Sequence, residues 1–235
     1  MYLYETHMHT STVSACAVSS PAEQVRAYKR RGYAGVIITD HFLNGLAARS
    51  PGKVSMSWAD KINFFVSGYE RAKKEGDKCG LDVFFGWEYS IDGSDFLTYG
   101  LNEDFLIAHP ELEDTPPIEK YSTLVRDAGG YIAQAHPYRR GLWINMPLPV
   151  EPSLIDGVEV YNGGMPMAVN KKAFDFALEH GLPMQAGSDS HDTDIRDVNG
   201  ISLRNKAESI HDIIKAIKAR QVKLILPPII NDLWN

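Results

Sequence analysis

The segment GVIITDH at residues 35–41 decides how the rest of this sequence is interpreted. Four β-branched residues follow Gly35 and predict a buried strand, because branched side chains favour extended backbone. This strand leads directly into Asp40 and His41, two ionisable side chains at its carboxyl end. Apolar strands that end in polar groups are typical of parallel sheets, whose active sites gather at the strand ends. The segment therefore predicts an α/β fold with a polar site at the ends of its strands.

The same arrangement recurs along the chain. Further strand-like runs cover residues 82–87, 131–135, 157–161 and 183–187. Apolar residues at helical spacing separate them, in stretches that begin near Ser20, Ile62, Ile118, Val169 and Ile210. Strand–helix alternation predicts a parallel sheet covered by helices, and polar strand ends that converge on one mouth favour a barrel over an open sheet. We expect one barrel domain over residues 1–235.

The composition limits the classes of function. The 235 residues carry a net charge of −6, with 44% hydrophobic and 23% charged residues, which is ordinary for a globular enzyme. The negative charge argues against nucleic-acid binding beyond short oligonucleotides. No apolar run has membrane-spanning length, the start of the chain does not resemble a secretion signal, and Cys16 and Cys79 form no disulfide framework. We expect a cytoplasmic protein away from membranes; its oligomeric state is left open.

Seven potential metal ligands follow the predicted strands. Five of the eight histidines and two carboxylates make up the set: His7, His9, His41, Glu88, His136, Asp189 and His191. Residues two apart on a strand share a face, so the pair His7 and His9 can point at one ion. Imidazoles mixed with carboxylates suit Zn, Mn or Fe, and seven donors exceed the need of one tetrahedral ion. We therefore expect two or three divalent ions.

Each of these signals also has an ordinary interpretation when it is taken alone. Asp40 and His41 could be a helix cap and a surface imidazole, and Glu88 could form a salt bridge with an arginine. His109, in the sequence Ala-His-Pro, is either a loop residue or a further ligand. The position of the whole set at successive strand ends favours the metal site.

Five motifs, in this order, resemble the PHP (polymerase and histidinol phosphatase) superfamily. They are HMHT at 7–10, ITDH at 38–41, WE at 87–88, AHP at 135–137 and GSDSH at 187–191. The resemblance implies a distorted (β/α)7 barrel of TIM-like type, a trinuclear metal site at the carboxyl ends of its strands, and phosphoesterase activity. It implies a first ion held by His7, His9, Glu88 and Asp189, a second held by Glu88 and His136, and a third held by His41 and His191.

The chain departs from the family pattern at two positions. Cys16 stands where members often carry a histidine, and it is either a substitute ligand or a small buried cysteine. Asn102 stands after a strand where members often carry another histidine. The second ion would then use Asn102, recruit His109, or complete its shell with substrate or water.

The predicted reaction is the hydrolysis of a small phosphate ester by a metal-activated hydroxide. Asp40 and Asp189 are the predicted catalytic carboxylates; Asp40 would either protonate the leaving group or orient His41. Predicted substrate contacts are Arg139, Arg140, Asn162 and Arg196, since arginine donates two parallel hydrogen bonds to phosphate. Three alternatives stay open: cleavage of another bond such as an amide, nuclease action on oligonucleotide ends, and a non-catalytic metal-binding or regulatory module.

Overall fold

A computed structural model of the chain describes residues 1–49, 56–140, 149–194 and 198–227. Within those ranges the strands are β1 (Tyr2–Met8), β2 (Gly35–Ile38), β3 (Asp82–Ile91), β4 (Ser94–Tyr99), β5 (Tyr131–Ala135), β6 (Gly157–Asn162), β7 (Met184–Gly187), β8 (Gly200–Leu203) and β9 (Lys223–Ile225). The helices are α1 (Pro21–Arg30), α2 (Trp58–Cys79), α3 (Glu103–Ala108), α4 (Ile118–Asp127), α5 (Met167–Glu179) and α6 (Ile210–Lys218). Helices alternate with strands over most of this order, as the sequence predicts.

The strands form one sheet in the order β7-β6-β5-β4-β3-β2-β1-β8-β9. Strands β1 to β3 pair in parallel, and so do β5 to β7. Strand β4 is antiparallel to both of its neighbours, and β8 is antiparallel to β1 and β9. Beyond β7, Ser190 forms a parallel bridge with Met8, and Thr6 Oγ1 donates to Ala186 O at 2.9 Å. The sheet therefore nearly closes into a barrel.

This architecture confirms the predicted TIM-like barrel, with nine described strands where the family resemblance implied seven. The additional pairing comes from β8 and β9, which extend the sheet beyond β1. The antiparallel β4 is the other distortion, and it was not predicted.

The helices begin and pack as their sequences predict. Ser20 caps α1 in a capping box with Glu23, and Pro21 occupies the first turn. Helix α6 buries Ile213, Ile214 and Ile217 against the sheet. Among the described helices, none combines the length and apolar character that a membrane crossing requires.

The barrel interior contains a fully buried layer of hydrogen-bonded polar groups. Tyr99 Oη donates to Thr6 O at 2.7 Å, and Gln185 Nε2 donates to Tyr99 Oη at 2.8 Å. Tyr131 Oη donates to Gln185 Oε1 at 3.1 Å. Because each group has a partner, the layer avoids the cost of unsatisfied buried polar atoms.

Candidate metal centre

All seven predicted ligands lie together at the carboxyl end of the barrel. Their donor atoms fall into three groups, and within each group they lie within 4.8 Å of one another: His7, His9 and Asp189; His7, Glu88 and His136; His9, His41 and His191. Strands distant in sequence supply each group, because parallel strands end at the same mouth. Most members are buried, and His7, His9 and Glu88 are fully so. The structure thus brings the predicted residues into contact.

Glu88 lies at the centre of these groups. Its Oε1 is 3.3 Å from His7 Nε2 and 3.1 Å from His136 Nε2. Its Oε2 is 2.7 Å from His41 Nδ1 and 3.6 Å from His9 Nε2. Burial alone would raise the pKa of Glu88, but the surrounding imidazoles, with His41 foremost, hold that pKa well below its usual range. Glu88 is thus an ionised carboxylate placed between donor groups, as a bridging ligand must be.

Two donor atoms of this centre lack a hydrogen bond. His41 Nδ1 and Glu88 Oε2 are both buried and form an ion pair at 2.7 Å, but neither atom makes a hydrogen bond of acceptable geometry. A buried polar atom left unsatisfied costs about 1–3 kcal/mol. Cations among these atoms would remove that cost, so the residues fit divalent metal ions.

Hydrogen bonds also fix which nitrogen of His7 faces the centre. His7 Nδ1 is 2.9 Å from Glu159 Oε1, and an ionised carboxylate only accepts. The proton of a neutral His7 therefore lies on Nδ1, and the lone pair of Nε2 points at the donor groups. A carboxylate that holds a histidine in this way is typical of metal ligands.

Ser14 likewise fixes which ring nitrogen of His9 carries the proton. Ser14 Oγ donates its only proton to Asp40 Oδ1 at 2.7 Å, so it must accept from His9 Nδ1 at 3.3 Å and from His41 N at 3.1 Å. His9 therefore also presents a lone pair on Nε2. The two Nε2 atoms of His7 and His9 lie 3.1 Å apart, and two lone pairs at that distance repel unless a cation or proton intervenes.

Asp40 is held in hydrogen bonds that suit a positioning role, one of its two predicted roles; its catalytic role stays a prediction. Its carboxylate accepts from Thr10 N at 2.6 Å, Thr10 Oγ1 at 2.7 Å and Ser14 Oγ at 2.7 Å. Burial raises its pKa to about 6 against these hydrogen bonds. The side chain is buried and does not line the cavity at the mouth. Asp40 orients Ser14, and through it His9 and His41.

Glu159, on β6, is a site residue that the sequence analysis missed. Besides binding His7, it accepts from His136 N at 3.0 Å and from Asn162 Nδ2 at 2.9 Å. Asn162 Nδ2 also lies 3.4 Å from Asp189 Oδ2, and Asn162 is fully buried. The side chain of Asn162 thus contacts Glu159 and Asp189, and its predicted substrate contact stays a prediction. An acidic residue inside the apolar run GVEVY was the available signal for Glu159.

Asp95 is the second site residue that was missed. It lies at the beginning of β4 and is buried, with Oδ2 4.0 Å from His136 Nε2. The same Oδ2 accepts from Arg139 Nη2 at 2.6 Å, and Oδ1 accepts from Ser90 Oγ at 2.6 Å. Burial raises its pKa, and the charge of Glu88 adds to that shift.

The structure contradicts the two ligands proposed from the neighbouring sequence. Asn102 is exposed and caps α3, where its side chain accepts from Phe105 N at 3.2 Å. Because β4 is antiparallel, its carboxyl end leads Asn102 away from the mouth. His109 pairs with Glu111 at 3.0 Å and packs on the Phe105 ring. His109 belongs to none of the donor groups among the described residues.

Cys16 lies beside the third donor group. The residue is exposed, and its thiol lines the same cavity as His41 and His191. Burial of the thiol raises its pKa, but hydrogen bonds with His191 and His41 outweigh that effect and lower the pKa to about 7. The alternative of a small buried cysteine is therefore wrong, and a ligand role for Cys16 stays a prediction.

A cavity of about 490 Å³ opens above the donor groups. Arg139 and Arg140 line it, as their predicted role requires, together with Asp95, Asp189, His191 and Leu46. Arg196, the fourth predicted substrate contact, lies outside the described residues. The cavity thus joins metal donors to positive side chains in one small space.

The backbone at the centre is held in uncommon conformations. His136 has φ 27°, Asp189 has φ 56°, and Tyr138 has φ 71°, all in the left-handed region. Such residues cost about 1–3 kcal/mol each and persist only where their surroundings hold them. Gly187 has no room for a side chain, because an added Cβ would lie 2.6 Å from His7 Cβ. The site is therefore closely packed and strained where its ligands sit.

Solved structures share this fold. A two-domain protein of Bacteroides vulgatus containing a predicted PHP-like metal-dependent phosphoesterase matches with TM-score 0.67 and 18% identity, over 96% of this chain and 64% of that protein. A candidate metal-dependent phosphoesterase of Bifidobacterium adolescentis matches with TM-score 0.57 and 15% identity, over 94% of this chain and 96% of that protein. An amidohydrolase of Chromobacterium violaceum, solved with sulfate and without metal, matches with TM-score 0.59 and 15% identity, over 94% of this chain and 97% of that protein.

These similarities confirm, at the level of the fold, the resemblance to PHP-like proteins. This chain spans about two thirds of the Bacteroides protein, which has a second domain. No family model matches the sequence, and no curated protein matches it.

Proposed function

We propose that this chain is a metal-dependent hydrolase of PHP type that cleaves a small phosphate ester. The observation that carries the proposal is the inward convergence of seven donors in three groups at one mouth of the barrel. Divalent ions bound there would lower the pKa of water and offset the charge that develops on the phosphoryl oxygens. Two structures with the same fold are named as metal-dependent phosphoesterases, one of them PHP-like, and these names support the proposal.

The ligands divide among the proposed ions by their donor groups. His7, His9 and Asp189 would hold the first ion, and His136 would hold the second with Glu88, which also faces the first group. His41 and His191 would hold the third, which His9 also faces. Asp189 belongs to a donor group and also lines the cavity, so its carboxylate can touch both ion and substrate.

The substrate side of the proposal rests on the cavity. Arg139 and Arg140 would donate to the phosphoryl oxygens, since guanidinium groups match phosphate geometry. Its volume, about 490 Å³, lies in the range of small-molecule sites. A small phosphate ester therefore fits better than an extended polymer.

The test is a panel of phosphate esters assayed with protein that has been stripped by chelator and reloaded with Mn²⁺, Zn²⁺ or Fe²⁺. We expect turnover of at least one ester, and its loss in Asp189→Asn. Asp77→Asn is the matched control, because Asp77 is an exposed residue paired with Lys73. Full turnover by Asp189→Asn, or no turnover of any ester by the metal-loaded protein, would contradict the proposal.

Amide cleavage is a second candidate, favoured by the amidohydrolase that shares the fold. The same ligands and cavity would serve it, but a neutral amide has less need of two arginines. Turnover of an amide panel without turnover of phosphate esters would establish this alternative. Tightly bound metal without any turnover would instead favour the non-catalytic module.

The cytoplasmic location, the single domain and the native metal stay predictions.

A further inference from the structure

Asp95 and Arg139 form a charged pair in the wall of the cavity. Arg139 Nη2 donates to Asp95 Oδ2 at 2.6 Å, and the side chains are 30% and 6% exposed respectively. Ser90 Oγ holds the other carboxylate oxygen at 2.6 Å. A buried carboxylate therefore holds the guanidinium of Arg139 against the cavity wall and offsets its charge.

The oxygen that binds Arg139 also faces the second donor group. Asp95 Oδ2 lies 4.0 Å from His136 Nε2, which itself lies 3.1 Å from Glu88 Oε1. Ligand atoms lie about 2.0–2.2 Å from a zinc ion, so two ligands of one tetrahedral ion lie roughly 3.3–3.6 Å apart. The spacing of 4.0 Å is slightly longer, so Asp95 Oδ2 would have to move a few tenths of an ångström toward the ion. His7, Glu88 and His136 form this donor group, and Asp95 lies just outside it, next to His136.

We propose that Asp95 is shared between the second metal ion and Arg139, so that filling this ion site frees Arg139 to bind the substrate phosphoryl group. This inference rests on the proposed phosphoesterase function. A divalent ion at Asp95 would neutralise the carboxylate and repel the guanidinium. Arg139 already lines the cavity, so a change of side-chain rotamer suffices to redirect it. The protein would then bind phosphate through Arg139 only when it is loaded with metal.

The test measures binding of inorganic phosphate by calorimetry to the whole chain, stripped of metal or loaded with Mn²⁺. In the loaded protein, Arg139→Ala should raise the phosphate Kd about tenfold to a hundredfold, because it removes a hydrogen bond between two charged groups. In the stripped protein, the same substitution should change the Kd by less than about twofold, because Arg139 is held by Asp95.

Asp95→Asn reverses this dependence. Without the carboxylate charge, Arg139 is free in the stripped protein, and the phosphate Kd should fall about tenfold relative to the unmodified chain. Adding Arg139→Ala should remove that gain. Arg140→Ala is the matched control, since Arg140 lines the same cavity and its effect should not depend on Asp95. Arg139→Lys, which keeps the charge, serves where the alanine variant unfolds.

Equilibrium dialysis of Mn²⁺ supplies a second readout that does not depend on phosphate. Asp95→Asn should weaken the binding of one ion by about tenfold or more, whereas Arg139→Ala should not weaken it. Unchanged Mn²⁺ binding in Asp95→Asn, or an equal effect of Arg139→Ala on phosphate binding with and without metal, would overturn the inference. Absence of ester hydrolysis would contradict the proposed function alone, because neither readout uses turnover.

Discussion

The parallel strands and the antiparallel β4 place their polar residues at the mouth in opposite ways. On β1, β2, β5 and β7 the donors lie at or just beyond the carboxyl ends. On β4 the first residues reach the mouth and the last residues leave it, so Asp95 lies beside His136 while Asn102 caps a helix elsewhere. A polar strand end therefore indicates an active-site residue only when the direction of the strand is known.

The largest expected effect is in Glu88→Gln, on β3, beside the ends of the parallel strands. This change removes the charge that faces four imidazoles and should weaken metal binding on the order of a thousandfold, with a matching loss of turnover. Metal content by elemental analysis after gel filtration measures it. Glu113→Gln, at an exposed ion pair with Lys61, should keep its metal. Equal metal content in the two variants would remove Glu88 from the centre.

Metal removal should destabilise the whole barrel, because five strands share the ligands. An ion present at a hundred times its Kd stabilises the fold by about 2.7 kcal/mol, which corresponds to a Tm increase of about 5–10 °C for a chain of this size. Ligand histidines must be deprotonated to bind metal. Burial lowers the pKa of His41, but Glu88 outweighs it and holds that pKa well above its ordinary value, so the Tm increase should shrink as pH falls through this raised pKa. Calorimetry with and without chelator measures it; a Tm independent of chelator at neutral pH would argue against tightly bound ions.

Glu159→Gln should have a smaller effect, because Glu159 holds His7 without being placed among the donor groups. Loss of such a supporting carboxylate typically lowers metal affinity or activity about tenfold to a hundredfold. Titrating metal into the variant while measuring turnover separates an effect on metal affinity from an effect on activity. If affinity and activity both match those of the unmodified chain, the orientation of His7 does not depend on Glu159.

The smallest effect is expected at the far end of β4. Asn102→Ala removes the cap of α3 and should cost about 1 kcal/mol, or about 2–4 °C in Tm. Metal content and turnover should not change. A loss of bound metal in this variant would indicate that Asn102 is a ligand. It would contradict the conclusion that β4 begins at the mouth and leads Asn102 away from it.

Much of the site could be predicted because it depends on strand ends. The histidines at positions 7, 9, 41, 136 and 191 follow apolar runs that the sequence displays directly. Asp40 and Glu159 could be seen as acids near such runs, but their roles depend on hydrogen bonds to Ser14 and His7 that no periodicity reveals.

The sequence does contain an indication that the chain reverses direction between β3 and β4. Asp92-Gly93 joins two strands by a two-residue loop, and both residues have positive φ, 50° and 80°. This dipeptide is a strong hairpin indicator, because such turns require left-handed backbone at both positions. Recognising it would have reversed the direction of the following strand, excluded Asn102 and directed attention to Asp95.

The most direct test of the metal centre is to titrate metal into chelator-stripped protein while recording both bound metal and phosphate-ester turnover. The account predicts no turnover in the stripped protein and full recovery as the chain binds up to three ions, one for each donor group. Undiminished turnover by protein that contains no metal would contradict it.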